Sequence, residues 1–235
     1  MSDDSFSFKQ FTIRQELCAM KVGTDGVLLG AWAPIEGCTR ILDIGTGTGL
    51  LALMAAQRCP EARVTGIDID SRAAQQARSN ADDSPWNSRI EILAADARDY
   101  SPAESFDAIL CNPPFFTRSL KNPDGARALA RHDDSLSLDD LARAASRLLS
   151  NEGILAVVLP SERKADMIAV AATNSLFLFH QTDVRPTERR NPARVLLTFR
   201  KGSPSSRLSD ELCITSEGAY TEEYKALTQD FYLKF

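Results

Sequence analysis

Apolar, β-branched segments alternate with segments of helical length along most of the 235-residue chain. This alternation is typical of a parallel sheet that is covered by helices on both faces. The last two predicted strands, 177–184 and 194–200, are joined by a segment too short for a crossover helix, so they should pair antiparallel. The sequence therefore predicts an α/β fold with a doubly wound, mostly parallel seven-stranded sheet and an antiparallel final strand.

One domain accounts for the whole chain, because 235 residues with 43% hydrophobic side chains can build one large core. We expect an N-terminal extension (1–39), a core (40–200) and a tail (201–235) that is loose at first and whose terminal aromatic residues dock. The other predicted strands are 40–44, 63–67, 90–94, 106–111 and 154–159, and the predicted helices are 50–58, 72–80, 138–149 and 163–173.

Cysteine and histidine usage bounds the chemistry. The chain has five scattered cysteines with no C-x-x-C pair and only two histidines, which predicts a reduced protein without a metal site. The N-terminus lacks a basic and then apolar leader, and no run of 18 apolar residues occurs. We therefore expect a cytoplasmic protein with no membrane segment. The sequence leaves the oligomeric state open, with a monomer as the expectation.

The stretch "ILDIGTGTGLL" joins the first strand to the first core helix. Its alternating glycines, Gly45, Gly47 and Gly49, would let the backbone approach a ligand closely. A dinucleotide fingerprint would need glycine where Leu50 stands, which disfavours NAD, and the lysine of a phosphate-binding P-loop is absent. Asp68 closes the second strand at about the spacing at which an acid meets ribose hydroxyls. The pattern favours a nucleotide-like ligand other than NAD.

A second stretch, "ILCNPPFF", runs the fourth strand into an amide, two prolines and two aromatic residues. Proline lacks a backbone N–H and keeps the residue before it extended, so the turn is stiff and short of donors. What it presents is the Asn112 side chain together with backbone carbonyls, which suit a ligand that brings N–H groups. An amino group would fit.

The motifs "DIGTGTG", "GIDID", "AADARD" and "NPPF", in this order, resemble those of the class I S-adenosylmethionine-dependent methyltransferases. The resemblance covers residues 40–200 and implies a Rossmann-like fold and S-adenosylmethionine as cofactor. It implies that Asp43 supports the loop and the cofactor's amino group, that Asp68 holds the ribose hydroxyls and that Asp96 meets the adenine amino group. The glycines that would line the methionine portion are Gly45, Gly47 and Gly49. Two structural alternatives stay open: a helix N-terminal charge for Asp43 and a surface-turn acid for Asp96.

In this family "NPPF" marks enzymes that methylate a nitrogen attached to a planar system. The lone pair of such an amine is delocalised, so acceptors on the Asn112 side chain and the Pro113 carbonyl would favour a more pyramidal nitrogen. Pro113 and Pro114 would hold these acceptors in place, and Phe115 would supply a face for an extruded base. For Phe116 a core position is the simpler interpretation.

Two acceptor classes remain, a nucleobase amine and the side-chain amide of a protein glutamine, beside a binding protein without turnover. Two basic segments in a chain of net charge −5, residues 116–132 and 185–201, favour a nucleic acid. Both would lie near the carboxyl ends of the strands. Their predicted RNA contacts are Arg118, Lys121, Arg127, Arg131, Arg185, Arg189, Arg190 and Arg194.

The chain ends also carry a resemblance. The stretches "MKVGTDGVLLGAW" and "LTQDFYLKF" are similar to those of bacterial tRNA adenine-N6 methyltransferases that modify adenine 37 of a valine tRNA. That implies tRNA as substrate and places Lys21 and Asp25 near the cofactor, although Asp25 could equally cap a helix through 27–31. A guanine-N2 methyltransferase of ribosomal RNA, which also uses "NPPF", is the alternative, but its usual duplicated N-terminal domain is missing here.

Overall fold

The computed structural model describes residues 4–18, 21–113, 136–202 and 207–234. Its first half alternates strands and helices in the order that the sequence predicts, preceded by a short hairpin and a helix. These elements are β1 (Ser5–Ser7), β2 (Thr12–Arg14), α1 (Thr24–Trp32), β3 (Arg40–Ile44), α2 (Leu50–Arg58), β4 (Arg63–Asp68), α3 (Ser71–Asp82), β5 (Ile90–Ala94) and β6 (Phe106–Cys111).

The second half adds three helices and five strands among the described residues. They are α4 (Leu138–Leu148), β7 (Leu149–Pro160), α5 (Lys164–Thr173), β8 (Leu176–Thr187), β9 (Arg194–Lys201), β10 (Leu208–Ser216), β11 (Ala219–Tyr220) and α6 (Glu222–Thr228). The predicted strand 154–159 is longer than expected, because β7 begins at Leu149, directly after α4. The residues of the tail expected to be loose include 208 and 209, which lie in β10.

The main sheet has nine strands within the described ranges, in the order β11-β10-β8-β9-β7-β6-β3-β4-β5. Strand β9 is antiparallel to both of its neighbours, β7 and β8, whereas β3 to β6 pair in parallel. The predicted mostly parallel sheet with an antiparallel strand is confirmed. It is wider than the predicted seven strands, because β10 pairs with β8 and β11 with β10.

Helices cover both faces of the sheet, as the doubly wound prediction requires. Alternate residues of the central strands serve the two faces: Ile41 packs beneath α1 and α2, while Leu42 packs beneath α4 and α5. Both side chains are fully buried. The central strands are consequently apolar on both sides. This is why they were recognisable in the sequence as continuous apolar segments.

The two chain ends meet in one aromatic cluster. Phe8 of the N-terminal hairpin and Phe231 of the tail are 4% and 2% exposed, and they share a buried cluster with Phe11 and Ile13. The backbone N–H of Lys9 donates to the carbonyl of Phe231 at 2.9 Å. The prediction that the terminal aromatic residues dock is confirmed, and their partner is the start of the chain.

Helix α1 differs from the sequence prediction at its start. Its N-cap is Gly23, without a side-chain cap, so the expectation that Asp25 caps this helix is wrong. Asp25 lies inside the first turn, and its carboxylate accepts from the Nε of Arg194 at 2.7 Å. The pair joins α1 to the start of β9. Among the described residues, no helix is long and apolar enough to cross a membrane.

Candidate active site

The carboxyl ends of β3, β4, β5 and β6 lie side by side because the strands pair in parallel and in step. Ile44 at the end of β3 is paired with Ile67 on one side and with Cys111 on the other. The segments that follow these strands therefore open toward the same edge. A cavity of about 300 Å³ lies there. It brings together most of the predicted catalytic and cofactor-binding residues: Lys21, Gly45, Gly47, Asp68, Asp96, Asn112 and Pro113.

The glycine loop adopts a backbone that other residues rarely accept. Gly45, Gly47 and Gly49 have φ angles of 70°, 56° and 84°, all in the left-handed region. Gly49 lies behind the cavity, where an added Cβ would stand 3.3 Å from the Cβ of Ala77 in α3. Glycine is thus required for conformation throughout the loop and for close helix packing at Gly49.

Asp43 lies beneath the loop and is fully buried. Its Oδ2 accepts from the Thr46 hydroxyl at 2.6 Å and from the backbone N–H of Ala52, in the first turn of α2, at 3.2 Å. Its Oδ1 has no hydrogen-bond partner among the described residues. Desolvation raises the pKa of Asp43 from 3.8 to about 7. Asp43 thus makes both the loop contact and the helix N-terminal contact expected for it. It does not line the cavity, and its expected contact with the amino group of the cofactor stays a prediction.

Asp68 ends β4 with both carboxylate oxygens fixed by backbone donors. Oδ2 accepts from the N–H of Gly47 and Oδ1 from the N–H of Asp70, each at 2.9 Å. Each oxygen of a carboxylate can accept more than one hydrogen bond. Burial is the largest influence on this group and raises the pKa of Asp68. Asp68 therefore lines the cavity as an acceptor whose orientation the backbone fixes.

Asp96 follows β5 and forms an ion pair with Arg98. The Nη2 of Arg98 lies 2.6 Å from Oδ2, and the Nε lies 2.8 Å and 3.0 Å from the two oxygens. Hydrogen bonding from Arg98 is the main reason that the pKa of Asp96 is lowered. Both residues line the cavity. Asp96 is therefore both an acid of a turn, with a partner two residues away, and a residue that lines the cavity. Its hydrogen bonds from Arg98 use part of its capacity to accept others.

Asn112 follows β6 at the inner end of the cavity and is half-buried. Helix α1 backs it: a Cβ added to Gly26 would lie 3.6 Å from the Asn112 Nδ2 and 2.9 Å from a methyl carbon of Leu50. Pro113, the next residue, is buried. The predicted roles of Pro114, Phe115, Arg118, Lys121, Arg127 and Arg131 fall on residues outside the described ranges.

The N-terminal part of the predicted site is only partly assembled. Lys21 lines the cavity, but Asp25 does not. Its carboxylate accepts from Arg194 at 2.7 Å, which corrects the expectation that Asp25 lies against the cofactor. The ion pair holds the side chain toward β9 instead.

Sequence reasoning missed several residues that line the cavity, including Cys18, Thr46, Ile69 and Arg98. Ile69 is 53% exposed although it is apolar, and it directly follows Asp68. An exposed apolar side chain in the wall of a cavity can pack against the face of a flat ring. The sequence could have indicated Ile69, because it is the apolar residue between the two acids of "IDID", but the sequence prediction considered only the acids.

The basic hairpin between β8 and β9 lies at the same edge, because β8 runs parallel to β7 and β6. Arg189 and Arg190 are exposed in its turn. Arg185 instead pairs with Glu211, with its Nε 2.5 Å from the carboxylate, and Arg194 pairs with Asp25. Of the predicted RNA contacts that the structure describes, two are thus exposed in the turn and two are engaged in ion pairs.

Comparisons with known proteins agree on one family. A family model described as "Methyltransferase small domain" matches residues 27–176. The chain is 49% identical over 234 residues to the tRNA1(Val) (adenine(37)-N6)-methyltransferase of Phocaeicola vulgatus, and the match covers 99% of both chains.

Two solved structures show where the fold recurs. A crystal structure of a predicted O-methyltransferase from Agrobacterium tumefaciens is 25% identical, with a TM-score of 0.71 over 88% of this chain and 96% of that one. The Thermus thermophilus 16S rRNA N2 G1207 methyltransferase, in complex with AdoMet and guanosine, is 19% identical, with a TM-score of 0.58 over 84% of this chain and 50% of that one. The second likeness extends to the fold alone.

Asp43 makes the stability of the protein depend on pH. Because burial raises the pKa of Asp43 from 3.8 to about 7, the folded chain holds this proton more tightly than the unfolded chain does. The resulting stability is fully present below the unfolded pKa and is lost as pH rises through the folded pKa. We expect the free energy of unfolding of the wild type, relative to Asp43→Asn, to fall between about pH 4 and pH 7, by roughly 1.4 kcal/mol per unit of pKa difference.

Urea unfolding of both proteins at several pH values measures this difference. Asp82→Asn, at an exposed acid of α3, is the control and should follow the wild type. Parallel profiles for the wild type and Asp43→Asn would contradict the assignment.

Proposed function

The chain belongs to the methyltransferase small domain family and, within it, to the tRNA1(Val) (adenine(37)-N6)-methyltransferases, and on this premise we propose that it methylates N6 of adenine 37 in tRNA1(Val). The methyl donor is S-adenosylmethionine. One observation carries the proposal: Asn112, the residue suited to an amine, opens onto the same cavity as Gly45, Gly47 and Asp68, the residues suited to the donor. Donor and acceptor sites thus meet at one edge of the sheet.

The cavity fits S-adenosylmethionine in size and in chemistry. The cavity has a volume of about 300 Å³, and Gly45 and Gly47 line it. Their positive φ angles would be strained in any residue with a side chain. Asp68 would hold the ribose hydroxyls with the acceptor capacity that Gly47 and Asp70 leave free, and Ile69 would cover one face of the adenine. When bound, S-adenosylmethionine supplies an electrophilic methyl group on a sulfonium.

Asn112 and Pro113 would prepare the target amine. The nitrogen of the Asn112 amide lies on the α1 side, near Gly26. The amide oxygen would therefore be turned toward the target amine and accept from its N–H. The Pro113 carbonyl is a second acceptor that the proline ring holds in place. Two such acceptors reduce delocalisation of the amine lone pair and orient it, and a displacement reaction depends chiefly on that positioning. Here the chain contributes alignment rather than covalent chemistry.

The turn between β8 and β9 would hold the RNA beside the reacting base. Arg189 and Arg190 are exposed there, at the edge where Asn112 lies. Phosphate contacts of this kind fix the position of a nucleic acid without reading its sequence. Because the chain as a whole has a net charge of −5, RNA would approach through this basic turn in preference to the acidic remainder of the surface.

The alternatives from the sequence have weaker support. A guanine-N2 methyltransferase of ribosomal RNA has a solved counterpart at 19% identity, a level that speaks for the fold only. The exposed arginines, Arg189 and Arg190, favour a nucleic acid with its phosphates over the side chain of a protein glutamine. The relative that is 49% identical over 99% of both chains favours the tRNA adenine. We further propose a single-domain, monomeric enzyme that acts in the cytoplasm, where its substrate is found.

Asp68→Ala tests the cofactor assignment. Loss of the carboxylate should weaken binding of S-adenosylmethionine by about 1.5–3 kcal/mol, the range for hydrogen bonds to a charged group. Calorimetry measures this, with NAD as the competing ligand and Asp82→Ala, at an exposed acid, as the control variant. Equal or tighter binding of NAD to the wild type would contradict the proposal.

Asn112→Ala tests the role of the amide. An interaction that strengthens in the transition state affects kcat and kcat/KM together, so turnover should be lost while cofactor binding persists. The assay is methylation of tRNA that lacks the modification, with the product nucleoside identified by mass spectrometry. Asn87→Ala, at an exposed asparagine, should behave as the wild type. A preserved kcat with weaker cofactor binding would argue that Asn112 serves the cofactor only.

Replacing Arg189 and Arg190 with alanine tests the RNA interaction. Affinity for tRNA should fall similarly across tRNA sequences, and the salt dependence should decrease by about 0.7–0.9 log units per log of salt for each phosphate that the variant no longer neutralises. Filter binding over a salt series measures both quantities. Arg63→Ala, exposed at the start of β4, should leave them unchanged. An unaltered slope in the double variant would identify the turn as a solvated loop.

A further inference from the structure

Buried side-chain amides hold the wall of the cavity that precedes α1. This N-terminal wall consists of residues 14–18 and 21–23, of which Cys18, Lys21, Val22 and Gly23 line the cavity. Three glutamine or asparagine side chains bond its backbone, and each is no more than 5% exposed: Gln15, Gln76 and Asn80. A buried amide is costly unless it is hydrogen-bonded, so these contacts are specific requirements of the fold.

Asn80 of α3 joins the N-terminal wall to the glycine loop. Its Oδ1 accepts from the N–H of Arg14 at 2.9 Å, and its Nδ2 donates to the carbonyl of Arg14 at 2.8 Å, as a neighbouring strand would do. The same Nδ2 donates to the carbonyl of Thr48 at 2.8 Å. Thr48 lies in the loop between Gly47 and Gly49 and lines the cavity. One side chain thus spans two walls of the cofactor site.

Two glutamines repeat the arrangement further along the N-terminal wall. Gln76, one helical turn before Asn80, accepts from the N–H of Leu17 at 3.1 Å. Gln15 accepts from the N–H of Val22 at 2.9 Å. Because Gln76 and Asn80 lie four residues apart on α3, they face the same side of the helix. That side also packs against Gly49 through Ala77.

We propose that Asn80 and Gln76 are positioning residues for the cofactor, which set the N-terminal wall against the glycine loop. Removal of the wall would take from Asn80 and Gln76 the hydrogen-bond partners that they have in it, so a correctly placed wall and a correctly placed loop stabilise one another. A cofactor that contacts both walls therefore gains affinity from their alignment. The inference rests on the proposed function only in taking S-adenosylmethionine and its demethylated product as the ligands.

Asn80→Ala is the direct test, with S-adenosylhomocysteine as the probe. We expect about tenfold weaker binding, which corresponds to 1.4 kcal/mol, with the loss appearing in the dissociation rate. The KM for tRNA should not change. Asn174→Ala is the matched control, because Asn174 is another amide side chain that bonds the backbone, through the carbonyl of Val170 at 2.9 Å, and it follows α5, on the opposite face of the sheet from α1 and α2.

Gln76→Met is a second variant that keeps the shape of a buried side chain without a strong acceptor. It should also speed dissociation of S-adenosylhomocysteine, and hydrogen exchange at Leu17 should become faster and less responsive to the ligand. Urea unfolding measures the stability of all three variants. If faster dissociation reflected only a general loss of stability, Asn174→Ala would show it too at a comparable loss of stability.

Dissociation rates within twofold of the wild type in both Asn80→Ala and Gln76→Met would overturn the inference, as would an equal acceleration in Asn174→Ala. Failure of the wild type itself to bind S-adenosylhomocysteine would instead overturn the proposed cofactor, and this inference with it. Should Asn80→Ala fail to fold, Gln76→Met and its hydrogen exchange decide the outcome.

Discussion

Parallel pairing of the central strands is the constraint on which the site depends. Strands that run in the same direction and in step must end at the same edge, so segments far apart in sequence arrive side by side. The pairing of Ile44 with both Ile67 and Cys111 sets the glycine loop, Asp68 and Asn112 around one cavity. The backbone hydrogen bonds of the sheet therefore determine which side chains are neighbours in the site.

The left-handed loop after β3 adds a second constraint, and the acids around it hold the loop in one conformation. The backbone N–H of Gly47 donates to Asp68, and Thr46 donates to Asp43. A loop built from glycines would otherwise have many accessible conformations, since glycine loses more entropy on folding than other residues. The carboxylates select one of them. Asp68 thereby has two tasks, since the group that orders the loop also faces the ligand.

How much of this the sequence predicts depends on whether the signal is local. Strands β3 to β6 and helix α2 were predicted to within one residue, because the period of apolar residues and the turn residues that flank them are local in sequence. Strand β7 is the exception, since it begins at Leu149 rather than at 154. The carboxyl-edge placement of Asp68 and Asn112 followed from the same pattern. What the sequence did not reveal depends on distant partners: Asp25 pairs with Arg194, Arg185 pairs with Glu211, and β10 pairs with β8. No short-range pattern predicts such pairings.

The aromatic cluster that joins the N-terminal hairpin to the segment after α6 has a consequence for folding. Phe8 and Phe11 are buried in the same cluster as Phe231, and the backbone N–H of Lys9 donates to the carbonyl of Phe231. The two segments are separated by the whole sheet in sequence, whereas β3 to β6 pair between segments that lie closer together. Docking of the hairpin therefore closes a much longer loop, at a greater cost in chain entropy. We expect the hairpin to join the fold after the central strands have paired.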